Sequence, residues 1–169
     1  VGKGPFDMKN QGSMGGTVNI VTRKPEEGAH LSANLAGGSY GFINPAVTVS
    51  YCNPAFSALG GFSYRVSDPY RDGSGEHFTE LTNYLPSAVD SRAFEIGTAW
   101  GKIGWTPASR HQLQLSYTRQ DVSHVLYPYL RMDADFDDAD RVGLRYDAQN
   151  LSDRFTGFTA HAYYTQVAH

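Results

Sequence analysis

The stretch FSALGGFSYRVS, residues 56–67, sets Phe56, Ala58, Gly60, Phe62, Tyr64 and Val66 against Ser57, Ser63, Arg65 and Ser67. Successive side chains of a strand point to opposite faces, so this period of two predicts a strand with one apolar and one polar face. Segments of the same kind lie on both sides of it. HLSANLA (30–36) places Leu31, Ala33 and Leu35 opposite Ser32 and Asn34, and PAVTVSYC (45–52) gathers Val47, Val49 and Tyr51 on one face. Downstream, QLQLSYTRQ (112–120) opposes Leu113, Leu115 and Tyr117 to Gln112, Gln114, Ser116 and Thr118. RVGLRYD (141–147) opposes Val142, Leu144 and Tyr146 to Arg141, Gly143 and Arg145, and FTGFTAHAYYTQ (155–166) is a last strand whose phase the pattern leaves open. In FEIGTAWGKIGWTP (94–107) the parity changes: Phe94, Ile96 and Trp100 share one phase, Ile103 and Trp105 the other. A bulge at Gly101 or Gly104 would produce that change.

The connections sort by length. GGSYG (37–41), NPA (53–55), TPASRH (106–111) and QNLSD (149–153) are short, whereas 68–92 and 122–140 are long and polar. In an antiparallel up-and-down meander this puts the short turns at one end and the long connections at the other, with only the turn after the first strand departing. Outer-membrane barrels are organised in that way. The polar faces of Gln, Ser, Thr and Arg suit a wet lumen better than the core of a sandwich. A porin-type channel or a soluble β-sandwich binding module is the alternative on the same alternation.

Composition agrees with an all-β reading and removes several function classes. The chain carries 18 Gly, 11 Tyr and 9 Phe, and its apolar residues are spread thinly, so strands and turns fit better than helices. No apolar run approaches the roughly 18 residues of a membrane helix, a test that does not bear on strands of about 9 to 11 residues. With 14 basic and 17 acidic residues intermixed there is no basic stripe, so no nucleic-acid partner is expected. The single cysteine, Cys52, excludes an internal disulfide and a cysteine-based zinc cluster. The first residues, VGKGPFDMKN, do not have the pattern of a signal peptide.

GSMGGTVNIVTRKP (12–25) has the glycines of a phosphate-binding loop. Such loops work by pointing backbone N–H groups of a following helix at the anion. Here Thr17, Val18, Ile20, Val21 and Thr22 predict a strand, and Pro25 ends it. With Gly4 and Pro5 before it, GGTVNIVTRKP (15–25) resembles the C-terminal end of the plug domain of TonB-dependent outer-membrane receptors. GGSYG (37–41) is similar to that family's first extracellular turn, and RVSDPYRDGSG (65–75) to its third strand entering the second outer loop. The resemblance implies the end of a plug over 1–25 and the N-terminal part of a transmembrane β-barrel over 26–169. About seven strands are expected here, of the 22 that close such a barrel around its plug. The chain is thus expected to be an internal fragment, without the TonB box, most of the plug and the last strand.

The resemblance further implies active uptake of a metal chelate such as a ferric siderophore, with outer-membrane lipid and the TonB energy-transducing complex as partners. No enzymatic chemistry and no cofactor are expected, because no Ser/His/Asp or Cys/His set has catalytic spacing. Ligand in that family binds between plug apices and outer loops. The candidate ligand residues are Asn10, Gln11 and Ser13 in the plug turn, Tyr70, Arg71 and His77 in the first long connection, and Tyr127, Tyr129 and Arg131 in the second. Aromatic and Arg side chains suit an anionic, aromatic chelate. Arg23 is expected to pair with an acidic residue of the inner wall, Glu95 being the candidate. Met8, Met14 and Met132 with His30, His77 and His124 are ligand types that copper selects, but their spacing forms no recognisable set.

Overall fold

The register of pairing between neighbouring strands decides which side chains share a face. The computed structural model describes residues 24–80, 84, 86–127, 133–152 and 154–169. Its strands are β1 (Gly28–Gly37), β2 (Ile43–Cys52), β3 (Phe56–Ser67), β4 (Phe94–Ala108), β5 (His111–Val125), β6 (Ala134–Phe136), β7 (Asp138–Gln149) and β8 (Gly157–Ala168). They form a single antiparallel meander in the order β1-β2-β3-β4-β5-β7-β8, with β6 also paired to β5. The only helical pieces among the described residues are two short 3-10 turns in the first long connection, Phe78–Glu80 and Pro86–Ala88. The expected all-β, up-and-down meander is therefore what the chain forms. Residues 1–23, which hold most of the plug-like motif, lie outside the described part.

Following the partners across the sheet assigns the faces. Leu31 stands opposite Val49, Val49 opposite Gly60, Gly60 opposite Gly101, Gly101 opposite Tyr117, and Tyr117 opposite Val142. The adjacent row runs Thr48, Gly61, Trp100, Thr118, Arg141 and Thr165. One face is thus built of Leu, Val, Ile, Phe, Tyr, Trp and Ala; the other is mostly Ser, Thr, Asn, Gln and basic residues. Charge reaches the apolar face only toward the long connections, at Glu95, Arg119, Asp121, Asp138 and Asp140. There Arg119 forms ion pairs with Asp121 at 2.5 Å, Asp138 at 2.9 Å and Asp140 at 2.5 Å, and the Tyr117 hydroxyl donates to Asp140 at 2.5 Å.

The apolar face is the uncovered one. Leu31 is 74% exposed, Leu35 75%, Val49 54% and Trp105 53%, and along β2 every second residue, from Ile43 to Tyr51, is exposed while the polar residues between are half-buried. Fully burying one large apolar side chain stabilises a protein by roughly 1.5–3 kcal/mol. Net stabilities are only about 5–15 kcal/mol, so a face of this size cannot remain in water at no consequence. Some apolar medium or partner must cover it.

Turn chemistry follows the sequence. Asn53 accepts from the amides of Ala55 (2.9 Å) and Phe56 (2.7 Å) through its side-chain oxygen, closing the β2–β3 turn as Asx residues do. In the β1–β2 turn Tyr40 and Gly41 both have positive φ, and the Asp68 carboxylate stands where a side chain on Gly41 would begin. The Asp68 amide donates to the Tyr40 carbonyl at 2.8 Å, so this turn is fastened to the end of β3.

Two expectations are corrected. The β3–β4 and β4–β5 registers run unbroken through Gly101 and Gly104, and the irregularity falls later, between Trp105 and Ala108. No bulge restores Trp100 to the apolar face. Instead Phe94, Ile96 and Trp100 lie on the polar face, where the Trp100 ring lies over Gly61: a Cβ on Gly61 would sit 2.7 Å from the ring and 2.8 Å from the Val47 carbonyl oxygen. The second long connection is also shorter than its polarity implies. β6 pairs with β5 in the register of β7, Ser123 facing Phe136 and Val125 facing Ala134, so strand pairing continues to residue 134.

Gly61→Val forces the added carbons into backbone as well as ring, and overpacking of this kind typically costs about 1–3 kcal/mol. The variant is expected to unfold at lower temperature than wild type and to change its tryptophan fluorescence. Unchanged emission and midpoint would place the Trp100 ring elsewhere.

Candidate functional site

The first long connection begins as a small hairpin that holds three of the candidate ligand residues. Asp72 accepts from the Ser74 amide (2.8 Å) and the Glu76 amide (3.0 Å), Gly75 takes a φ of 91°, and Arg71 pairs with His77. The Arg71 guanidinium donates to the Gly75 carbonyl at 3.0 Å, so it is partly committed to its own turn. Tyr70 meets Tyr40 edge to face at 5.3 Å, which docks this hairpin on the β1–β2 turn. The structure thus brings Tyr70, Arg71 and His77 into one unit. His77 buries its Nδ1 atom with no hydrogen-bond partner among the described residues.

Tyr127 belongs to a second unit, where the two long connections meet. Its amide donates to Asp133 at 3.4 Å, and the neighbouring Leu126 amide donates to the Ala93 carbonyl at 3.0 Å. Tyr84 of the first connection lies in the same region; burial, and then the nearby Asp133 carboxylate, push its hydroxyl above the ordinary tyrosine value. Asn10, Gln11, Ser13, Arg23, Tyr129 and Arg131 lie outside the described residues, as do Met8, Met14 and Met132.

Glu95 is not on the inner wall. The unbroken β3–β4 register sets it opposite Val66 on the apolar face, where it accepts from the Tyr64 hydroxyl and stands 3.7 Å from Arg92. The expectation of an inner Glu95 required the bulge that β4 does not have. The histidines are likewise apart: His30 hydrogen-bonds the Glu27 carbonyl at 2.8 Å on β1, and His124 sits near the far end of β5 with a φ of 57°. Among the described residues no group of three His, Cys, Asp or Glu side chains is placed to hold a metal ion.

What the sequence reading missed is the charge of the polar face. Register gathers Arg65, Lys102, Arg141 and Arg145 there, against the carboxylates of Asp147 and, on β6, Asp135. Arg145 is held by that carboxylate through two bonds, 2.6 and 2.9 Å long, and Thr159 donates to it as well. Arg65 lies 5.9 Å over the Phe94 ring. On the same face a hollow of about 580 Å³ is floored by Leu59 and Trp100 and edged by Lys102, Gln114, Ser116 and Thr118. The surroundings offer hydrogen-bond donors and positive charge.

Among solved structures the sheet is similar to part of a chain named "Copper transporter OprC". The two agree with a TM-score of 0.68 and 25% sequence identity over 86% of this chain, which spans 21% of that one. The likeness extends over nearly the whole meander. No family model matches the sequence, and no curated protein matches it.

Replacing Asp72 with Ala removes two charge-assisted bonds of the hairpin, each worth about 1.5–3 kcal/mol when a charged acceptor is involved. Hydrogen exchange at the Ser74 and Glu76 amides is expected to accelerate at least tenfold in Asp72→Ala, while amides of β3 keep their protection. Equal protection in the two proteins would mean that the hairpin is held by other contacts.

Proposed function

We propose that this chain forms a section of the wall of a TonB-dependent outer-membrane receptor that takes up a metal chelate, such as a ferric siderophore. The observation that carries the reading is the inverted exposure of the meander: apolar side chains stand open on one face while polar ones are half-buried on the other. A soluble sandwich places these the other way round, with the apolar faces packed together. Lipid supplies the missing cover, and closure into a barrel removes the open edges at β1 and β8. Aromatic residues near the short turns, Tyr51, Phe56 and Trp105, suit the membrane interface.

The likeness to a copper transporter supports transport of metal. The plug-like GGTVNIVTRKP ahead of β1 favours a gated receptor over an open porin-type channel. Between a bare metal cation and a metal chelate, the excess positive charge of the polar face favours the chelate, since many chelates are anionic and a cation would be repelled. In this reading TonB acts through parts of the receptor beyond this chain, in a Gram-negative outer membrane, and the cargo crosses without covalent change.

The intact receptor is expected in the outer-membrane fraction, extractable only with detergent, and to migrate faster on gel electrophoresis before boiling than after. Uptake of labelled ferric chelate should vanish in cells lacking TonB and should not be replaced by uptake of free copper ion. Soluble protein without detergent would overturn the barrel reading. Uptake indifferent to TonB would overturn the receptor reading, and uptake of free copper alone would overturn the chelate.

A further inference from the structure

Nothing among the described residues requires glycine at position 101. Its φ is not positive, the pairing of β4 with β3 and β5 runs through it without a bulge, and a Cβ built on it would meet nothing within 4 Å. Every other described strand glycine has an atom within that distance. A glycine inside a strand weakens it, and where no bulge calls for one it often marks the close approach of something from outside.

What surrounds Gly101 is a hollow of about 430 Å³ on the apolar face. Gly60 stands directly opposite Gly101, so bare backbone of two strands forms the floor. Val49 of β2 is the partner of Gly60, and Tyr117 of β5 is the partner of Gly101. Adjacent strands lie about 4.8 Å apart, which sets Val49 and Tyr117 about 14 Å apart across that floor and leaves room for one hydrocarbon chain between their side chains. Tyr51 and Leu115 lengthen the two walls toward the short turns, and Ile103 raises the floor there. The Tyr117 hydroxyl donates to Asp140 at 2.5 Å, which holds its wall in place.

Depth selects the occupant. Along β4, Gly101 is four residues from Trp105, near the short turns, and six from Glu95, in the charged band, which is about 13 and 20 Å of strand. The hollow thus lies in the middle of the apolar belt and is continuous with the face that lipid covers in the barrel. Hydrocarbon tails are its neighbours at that depth, and headgroups are not. A second copy of the chain docked through the same patch about a two-fold axis would set hollow against hollow and leave both unfilled.

We infer that the Gly60–Gly101 hollow is a groove for one acyl chain of a bilayer lipid, which it holds longer than the rest of the apolar face holds its lipid. A chain lying in the groove touches protein on its floor and on both walls, whereas a chain against a flat face is touched on one side. The inference rests on the barrel reading and adds to it a lipid with a fixed seat.

The test uses the intact receptor in phosphatidylcholine vesicles containing a small proportion of phosphatidylcholine spin-labelled at mid-chain. Wild type is expected to show an immobilised lipid component that exchanges more slowly than the other boundary lipid. Gly101→Leu fills the groove from a position with free space, so it should fold as wild type does and lose that component. Ala162→Leu adds comparable bulk to the apolar face of β8, opposite Leu144 and away from the groove, and should keep it. The heat-dependent shift in mobility checks the barrel separately in each protein; its absence from wild type overturns the barrel reading and the groove with it. With the shift present, a wild type lacking the slow component overturns the groove alone, as does an equal slow component in Gly101→Leu or an equal loss in Ala162→Leu. Cross-linking that joins wild-type copies but not Gly101→Leu copies would overturn it in favour of a second copy of the chain.

Discussion

The constraint on which everything else depends is strand register. Because side chains alternate strictly, a register that runs unbroken through the middle of the meander sends most of its apolar positions, though not Phe94, Ile96 and Trp100, to the same side. A slip of one residue in any strand would reverse its two faces. The result is a sheet with a continuous apolar face and nothing in the described chain to cover it. A polypeptide with such a face either finds a second apolar layer or takes the bilayer as its solvent. The second option also explains why polar side chains are the partly sheltered ones, since they face the inside of a wall and are crowded by one another.

The polar band at one end of the apolar face gives the wall a direction. Arg119 and its three aspartates stand where the strands run on toward the long connections, and the Tyr117 hydroxyl joins them. Charged side chains at this position mark the limit of the apolar belt. Beyond it lie the Tyr70–Phe78 hairpin and the meeting of Tyr84, Tyr127 and Asp133. The basic face runs below them.

Much of the fold was legible in the sequence because alternation is a local signal. β3 begins at Phe56 and ends at Ser67, as its pattern alone predicts, and the division into short turns and long connections needs only counting. β4 was harder because its aromatics fall on both faces. Gly97, Ala99 and Gly101 occupy the apolar side, while Ile96 and Trp100 occupy the polar side, so hydrophobicity misreports the phase and Glu95 was assigned to the wrong face. Trp100 is tolerated there because Gly61 leaves room for its ring, a pairing between residues on two strands that no local pattern contains. The basic strip was invisible for the same reason. Lys102, Thr118, Arg141 and Thr165 come from four strands, and only register brings them together. Of the candidate ligand residues, Tyr70, Arg71 and His77 are united by a hairpin that the aperiodic sequence of 68–92 does not announce, whereas Tyr127 falls in a separate contact.

The central claim is that the apolar face meets lipid and the polar face does not. It is tested most directly by placing a fluorophore at single cysteines on adjacent positions of β5, Leu115 and Ser116, in the intact receptor with Cys52 replaced and the protein in bilayers of bromine-labelled lipid. The label at 115 is expected to be quenched strongly by the lipid bromines and weakly by iodide in the water, and the label at 116 to show the reverse. Equal quenching at both positions, or lipid quenching greater at 116, would contradict the account.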